Sequence, residues 1–216
     1  MSYLGFKILY DIINKREDAL AERVFAPAED MEKQMLENSI PLFSQESYRP
    51  LNEFDIVGFS LQHELCYTNV LHMLNIGNIQ LKAGKRGEDE PLVIAGGPAA
   101  FNPEPLTDFI DLFVIGDGED IINEIIAVYS SWSKKGKKSG KKGLLQELGS
   151  IQGIYIPSFY TVDYYPDGTI KSFSCTITTN NLGIREYSHL YGFHSCTFTC
   201  FTSSTLNIKR KSSLII

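Results

Sequence analysis

The sequence predicts a doubly wound α/β fold, in which helices cover both faces of a parallel β-sheet. Over roughly the first 130 residues, apolar runs alternate with segments of helical periodicity. Such alternation requires crossover helices between parallel strands. The run at residues 54–61 is almost continuously apolar, as in a strand buried on both faces. With 216 residues, the chain is long enough for one compact domain and an appendage.

The first part of the chain contains three predicted helices and two predicted strands. Apolar residues at positions 4, 8, 9, 12 and 13 recur with a helical period and predict the first helix. A short strand follows at residues 21–27. Residues 29–38 form the second predicted helix, with acidic residues in its first turn, where the helix dipole favours them. The run 54–61 is the second strand, and apolar spacing over residues 67–74 predicts the third helix.

Two more strands are predicted at residues 91–98 and 111–120, and both run into glycine. The isoleucines that follow, from residue 121, predict a helix that reaches about residue 132.

Residues 134–143 hold six lysines and no acidic residue. This composition favours a solvated linker. Contact between these lysines and an anionic partner remains the alternative.

The pattern changes after the linker. Aromatic and β-branched residues around Pro166-Asp167-Gly168 predict a β-hairpin, with residues 160–164 pairing against 169–173. From Ser174 onward, 14 of 43 residues are Ser or Thr and no periodicity is sustained, which predicts an irregular, disordered tail. The predicted units are an α/β domain at 1–133, the linker at 134–143, a hairpin connector at 144–173 and the tail at 174–216.

Charge and hydropathy exclude several classes of function. The formal net charge is −6, and outside the lysine run 14 basic residues face all 26 acidic ones. Nucleic-acid surfaces need clustered cations, so no such surface is expected. No apolar run approaches the roughly 18 residues of a membrane-spanning helix, and the amino terminus lacks the architecture of a signal peptide. We therefore expect a cytoplasmic protein without a membrane partner.

Three glycine-containing turns follow predicted strands and form the candidate binding site. Carboxyl ends of parallel strands meet at one sheet edge, where open α/β sheets bind ligands. Glycine lets a ligand approach the backbone closely, and the Ser60 hydroxyl offers a hydrogen bond. The candidate cofactor-binding residues are Ser60, Leu61, Gly96, Gly97, Pro98, Gly116, Gly118 and Glu119. The alternative is that the glycines only turn the chain and that Glu119 is a first-turn acid favoured by the helix dipole.

No catalytic residue and no metal ligand is predicted from spacing. A G-x-G-x-x-G after a first strand and a Walker-type loop are both absent. His63 and Glu64 are adjacent and cannot point the same way, so solvent or helix-cap roles are favoured for them. His72 has no acid or second histidine at i+4. Three of the four cysteines lie in the last 42 residues, and in a cytosolic-looking chain they are free thiols or metal ligands rather than disulfides.

Four long segments carry a family resemblance: GFKILYDIINKREDALAERVFAPAEDME, IPLFSQESYRPLNEFDIVGFSLQHELCYTNVLHML, PLVIAGGPAAFNPEPLTDFIDLFVIGDGED and GIYIPSFYTVDYYPDGTIKSF. Over about residues 2–173 the chain resembles the amino-terminal region of radical SAM proteins with a cobalamin (B12)-binding domain, in an uncharacterised branch. The resemblance implies a flavodoxin-like, cobalamin-binding-type Rossmann-like fold. In full-length members it also implies a barrel whose CxxxCxxC motif holds a [4Fe–4S] cluster that binds S-adenosylmethionine.

By this resemblance, the segment Ser60-Leu61 and the pair Gly96-Gly97 line a slot for the nucleotide tail of cobalamin. Gly116, Gly118 and Glu119 close the far side of that slot.

The sequence departs from the family pattern in three places. The family's first apolar strand is missing ahead of Ser2, which leaves a gap inside the sheet. The cobalt-ligating motif D-x-H-x-x-G is absent. Cys196 and Cys200 have the cluster spacing, but Ser203, a poor iron ligand, stands in the third position.

The sequence therefore predicts the truncated amino-terminal domain of a radical SAM protein, without its barrel and with a tail that has left the family's frame through a frameshift or gene breakage. Alone it is not expected to cleave S-adenosylmethionine. Its expected cofactor is cobalamin and its expected partner is a separately encoded radical SAM barrel. Two alternatives stay open: a non-catalytic relic or interaction module without cofactor, and a flavodoxin-like domain that binds another nucleotide or phosphate.

Overall fold

A computed structural model describes residues 4–175, 204–207 and 213–215 of the chain. The helices are α1 (Leu4–Asn14), α2 (Glu29–Glu37), α3 (Tyr67–Ile76), α4 (Gly118–Lys134) and α5 (Gly140–Leu148). The strands are β1 (Leu20–Phe25), β2 (Ile56–Ser60), β3 (Leu92–Gly96), β4 (Leu112–Val114), β5 (Ile154–Tyr155), β6 (Tyr160–Tyr164), β7 (Ile170–Cys175), β8 (Ser204–Asn207) and β9 (Ser213–Ile215). In this part of the chain, no helix has both the length and the apolar character needed to cross a membrane.

The main sheet confirms the predicted doubly wound α/β architecture. Strands β2, β3 and β4 are parallel neighbours. Strand β1 runs in the same direction beyond β2, since β9 is parallel to both of them. Strand β5 adds an antiparallel edge next to β4. Helices α2 and α3 join β1 to β2 and β2 to β3, whereas the connection from β3 to β4 contains only two short 3-10 turns.

Alternate residues of the central strands enter two separate cores, one on each face of the sheet. On one face, Ile56, Ile94 and Leu112 pack with apolar residues of α1, α4 and α5. On the other face, Val57 and Phe113 pack with residues of α2 and α3. Both faces are therefore covered, which explains why these strands read as continuous apolar runs rather than as alternating ones.

The position between β1 and β2 is occupied by β8 and β9. Strand β8 is antiparallel to both neighbours and lies beside Glu22–Phe25 and Gly58–Phe59. Strand β9 is parallel to both and lies beside Leu20–Glu22 and Ile56–Val57. Two short segments thus share the place that one strand fills in the flavodoxin-like order 2-1-3-4-5. The sheet is therefore continuous between β1 and β2, where a gap was expected.

These two strands differ from the irregular tail predicted for residues 174–216, and Ser174 and Cys175 belong to β7. The backbone of β1 and β2 offers hydrogen-bonding groups that any extended segment can satisfy, whatever its side-chain periodicity. The sequence pattern of the tail therefore does not reveal the pairing. The incomplete cluster motif at Cys196, Cys200 and Ser203 lies outside the described residues.

Helical structure continues into the segment predicted as a linker. Helix α4 ends at Lys134 and α5 begins at Gly140. Leu144, Leu145 and Leu148 of α5 are buried in the same core as α4. The sequence pattern does not predict α5, because the helix begins with lysines and its apolar residues start only at position 144. The boundaries of the predicted units stay a prediction.

The predicted β-hairpin is confirmed, although residues 160–164 pair with 170–175 instead of 169–173. Strands β6 and β7 pair antiparallel, from Tyr160 opposite Cys175 to Tyr164 opposite Ile170. Gly168 has a φ of 85° in the turn. Asp167 Oδ1 accepts hydrogen bonds from the Thr169 backbone N–H at 2.9 Å and from its hydroxyl at 2.7 Å. This local chemistry of Asp and Gly in a turn is the signal that the sequence carries.

Candidate functional site

The three predicted turns lie side by side at the carboxyl ends of β2, β3 and β4. Ser60 is the register partner of Gly96, and Gly96 is the partner of Val114. We call this edge the glycine rim and define it as residues 60–63, 96–98 and 116–119. The register brings the candidate residues together, as expected for parallel strands. Ligand binding at the glycine rim stays a prediction.

The chain itself closes the glycine rim at Gly97. The φ of Gly97 is 101°, and a Cβ there would lie 2.7 Å from the carbonyl oxygen of Leu61. The Leu61 N–H donates to the Gly96 carbonyl at 2.7 Å, and the Ala99 N–H donates to the Leu61 carbonyl at 3.0 Å. The Leu61 side chain is fully buried in the core. Gly97 therefore makes room for the backbone of Leu61, so its missing side chain does not by itself indicate space for a ligand.

The glycine rim is open near β4. Gly116 is exposed, with a φ of 111°, and a Cβ built there meets no atom within 4 Å. A Cβ on Gly118 would be in ordinary contact with Leu9 of α1, at 3.6 Å. Glu119 is exposed in the first turn of α4. Of the predicted glycines, Gly116 is the one whose missing side chain leaves free space beside a strand end.

His63 is a rim residue whose environment differs from the predicted solvent or helix-cap role. The short helix that follows it has no side-chain cap hydrogen bond. The His63 Nδ1 atom is buried and has no hydrogen-bond partner among the described residues. Nearby, the Gln62 amide donates to the Ser60 hydroxyl at 2.8 Å. A buried polar atom without a partner costs about 1–3 kcal/mol, so it is an uncommon feature that needs an explanation such as a ligand or water.

The turn after β3 is held by Tyr67. Its hydroxyl contacts the carbonyl oxygens of Ala99, at 2.9 Å, and Asn102, at 2.8 Å. Burial, with a smaller contribution from the charge of Glu64, raises the pKa of Tyr67 to about 12, so the hydroxyl stays protonated at neutral pH. Two apolar side chains at this edge remain exposed, Leu65 at 80% and Phe101 at 59%. The edge thus combines a fixed backbone with exposed apolar surface.

The opposite edge of the sheet contains a cavity of about 690 Å³ that the sequence analysis missed. Its walls come from residues 83–86, from 104–111, from the start of α5 and from residues 155–162. We call it the amino-edge cavity, because its walls include Asp111, immediately before β4, and the loop that leads to β3. These segments share no motif, so no local pattern predicts their meeting.

A buried ionic cluster forms part of this cavity's wall. The Asp111 carboxylate pairs with Arg86 Nη1 and accepts the Val93 N–H at 2.8 Å. The Lys141 ammonium lies 3.0 Å from Asp111 Oδ1, without the alignment of a hydrogen bond. Burial lowers the pKa of Arg86, and the Asp111 charge opposes that effect. Within this cluster one carboxylate faces two cations, and the Lys141 ammonium has no hydrogen-bond partner among the described residues.

Comparison with known proteins places the chain in a family. Residues 5–157 match the family described as radical SAM proteins, N-terminal. The chain belongs to this family. The match confirms the predicted radical SAM amino-terminal region, whose full-length proteins use a [4Fe–4S] cluster and S-adenosylmethionine. The cobalamin-binding branch stays a prediction.

The chain is also 25% identical over 138 residues to an uncharacterized protein of Methanocaldococcus jannaschii. The aligned region covers 59% of this chain and 26% of that protein. The chain therefore spans about a quarter of the length of the curated relative that it matches. No solved structure matches the chain.

Proposed function

We propose that this radical SAM amino-terminal domain binds a corrinoid at the glycine rim and presents it to a radical SAM barrel. The supporting observation is the juxtaposition of three strand-end turns with His63, whose buried Nδ1 has no partner among the described residues. Ligands of open α/β sheets bind at this edge. The domain's role would be to position a cofactor for chemistry that takes place on the partner.

The open turn at Gly116 and the polar residues after β2 fit such a cofactor better than the close contact at Gly97. Gly116 leaves the backbone accessible, and the Ser60 hydroxyl and Gln62 amide are polar groups of the kind that the amide side chains of a corrin ring require. Exposed Leu65 and Phe101 are suited to the apolar face of a macrocycle. A bound corrinoid would supply a cobalt centre able to carry an alkyl group. Leu61 and Gly97 would support this site from beneath.

A second candidate function is a cofactor-free interaction domain that docks on the barrel. The close contact between Gly97 and Leu61 favours it, because the missing side chain of Gly97 makes room for backbone and not for a ligand. Exposed Leu65 and Phe101 also favour it, since apolar side chains of this size at a surface are typical of protein contacts. The two candidates differ in one observable, which is retention of a coloured cofactor.

The proposal is tested by incubating the full chain with hydroxocobalamin, removing free cofactor by gel filtration, and recording the visible spectrum of the protein fraction. We expect retained absorbance for the unmodified chain. Glu119→Trp, at an exposed helical position beside Gly116, should reduce retention at least about tenfold by blocking the open side. His63→Ala should weaken it by about tenfold, as for loss of a buried hydrogen bond.

His72→Ala is the matched control, since His72 lies on α3 and contacts Glu32 instead of the glycine rim. It should retain the cofactor fully. A colourless chain that still binds a purified radical SAM barrel would overturn corrinoid binding in favour of the interaction domain. A colourless chain that binds a nucleotide, with loss in Glu119→Trp, would assign the glycine rim to another ligand. Gly97 is unsuitable for this test, because its substitution disturbs the backbone of Leu61.

A further inference from the structure

We propose that the amino-edge cavity is a second binding site, which takes a small organic anion carrying an aromatic or apolar ring. This site is separate from the glycine rim and does not depend on corrinoid binding. Asp111 precedes β4, whereas the rim turns follow the strands. Strand β5 is antiparallel to β4, so the chain after Tyr155 also emerges at the cavity's edge.

The cavity's lining is charge-balanced, with three cations and three carboxylates, but the buried Lys141 ammonium lacks a hydrogen-bond partner among the described residues and favours an anion beside it. Asp111 is already paired with Arg86, and the side chain of Lys141 is only 16% exposed. Lys142 also lines the cavity and is exposed. Lys135, Lys137 and Lys138 lie on the turn between α4 and α5, which leads into this wall, where they add positive potential. A bound carboxylate or phosphate would balance the second cation of the ionic cluster.

The neighbouring acidic side chains are engaged in contacts of their own. Glu88 accepts the Lys141 backbone N–H through both carboxylate oxygens, at 3.0 and 2.9 Å. Glu90 accepts the backbone N–H of Gly87 at 2.7 Å and of Gln80 at 2.9 Å. Asp108 lies 3.4 Å from Lys82, and Glu104 contacts the Tyr155 hydroxyl at 3.3 Å. Glu104 and Asp108 also line the cavity, so an anionic ligand group is expected beside Lys141, which has no hydrogen-bond partner among the described residues.

The remaining wall is suited to a ring. Tyr155 and Tyr160 both line the cavity, with ring centroids 5.2 Å apart, and Phe159 lies between them in the chain. Aromatic walls with a few charged groups are typical of small-molecule sites, whose volumes are about 300–1,000 Å³. The cavity's volume of about 690 Å³ lies in this range. The anion would contact Lys141 and Lys142 while the ring packs on the half-buried Tyr160, since Tyr155 and Phe159 are buried.

The test is isothermal titration calorimetry of the full chain with phenyl phosphate and benzoate, against benzyl alcohol and inorganic phosphate. We expect one of the two ring-bearing anions to bind at least about tenfold more tightly than both references. Phosphate and carboxylate ligands are distinguished by which of the two binds. If inorganic phosphate binds equally well, or if neither ring-bearing anion binds, the proposal is overturned.

Two variants locate the site. Lys142→Glu should weaken binding about fivefold, in line with a partly exposed charge contact, and Ser158→Trp should abolish it by filling the cavity from an exposed position. Lys138→Glu is the matched control, since it makes the same charge change at an exposed residue of the neighbouring turn, outside the lining, and it should change binding less than twofold. Equal weakening by both lysine variants would show a diffuse charge effect and overturn the site.

A last variant separates this proposal from the previous one. Glu119→Trp, which blocks the glycine rim, should leave binding of phenyl phosphate or benzoate unchanged. Loss of binding in that variant would assign the anion to the glycine rim and overturn the amino-edge site. Circular dichroism melts of all variants distinguish loss of the site from loss of the fold.

Discussion

The two edges of one sheet are built in different ways. At the glycine rim, backbone turns after three neighbouring strands determine the surface. At the amino-edge cavity, side chains from four separated segments meet around Asp111. A site made of turns can be recognised from a local sequence pattern, because glycine is needed where the chain bends. A site made of side chains from distant segments has no such pattern.

The glycine rim itself shows that one sequence signal has two causes. Gly97 lacks a side chain because the Leu61 carbonyl occupies that space, whereas Gly116 faces open space. Both have a positive φ that favours glycine. Only the structure separates a glycine required by packing from one that leaves room for a ligand.

The largest effect is expected at the ionic cluster of the amino edge. Asp111→Asn should destabilise the fold by about 3–5 kcal/mol, because it leaves the buried charge of Arg86 without its partner. The measurement is urea unfolding at neutral pH. Asp108→Asn is the control, since Asp108 is exposed beside Lys82, and it should cost no more than about 1 kcal/mol. A small effect at Asp111 would contradict the view that this edge is held by the cluster.

Alanine substitutions at Gly97 and Gly116 sharpen the contrast within the glycine rim. Both introduce a side chain at positive φ, which costs about 1–3 kcal/mol. Gly97→Ala should cost more than Gly116→Ala, by about 1–3 kcal/mol, since its Cβ also collides with the Leu61 carbonyl. Urea unfolding of both variants gives the difference. Equal losses would mean that the rim is no more closed at Gly97 than at Gly116.

A proline in β9 tests whether pairing with β9 holds β1 in the sheet. Leu214 is the register partner of Ala21 in β1 and of Ile56 in β2. Leu214→Pro removes a backbone donor and should cost about 1 kcal/mol. Hydrogen exchange should then accelerate in β1 while β3 and β4 keep their protection. Unchanged exchange in β1 would show that β9 does not secure that strand.

The smallest effect is expected at His63. His63→Phe replaces a buried nitrogen that lacks a partner, so without ligand it should stabilise the fold by about 0.5–1 kcal/mol. A thermal melt measures this gain. If the same variant no longer retains hydroxocobalamin, the His63 imidazole lowers the stability of the free domain and supports cofactor binding. That combination is expected for a side chain that contacts a ligand. Destabilisation would indicate a structural role for the imidazole.

Much of the fold was predictable because its signals are local. Helical spacing in α1 and α3, apolar runs in β2 and β3, and the Asp-Gly turn of the hairpin each report their own conformation. Helix α5 was missed because lysines fill its first turn. Strands β8 and β9 were missed because their pairing depends on backbone groups of β1 and β2, to which the sequence of the tail gives no guide.

The candidate site was predictable in its position but not in its openness. Parallel strand order alone brings Ser60, Gly96 and Gly116 to one edge. The closed contact at Leu61 and the buried nitrogen of His63 arise from distances of a few ångströms between segments far apart in the chain. No spacing rule contains such distances.

The amino-acid sequence by itself determined the α/β architecture, the shared edge of the three turns and membership of the radical SAM amino-terminal family. These properties follow from periodicity, strand order and long collinear motifs, which are written along the chain. The tertiary structure alone decided which glycine leaves space, what fills the place between β1 and β2, and where a charged cavity forms. Those outcomes depend on close packing between distant segments, and a one-dimensional pattern does not carry that information.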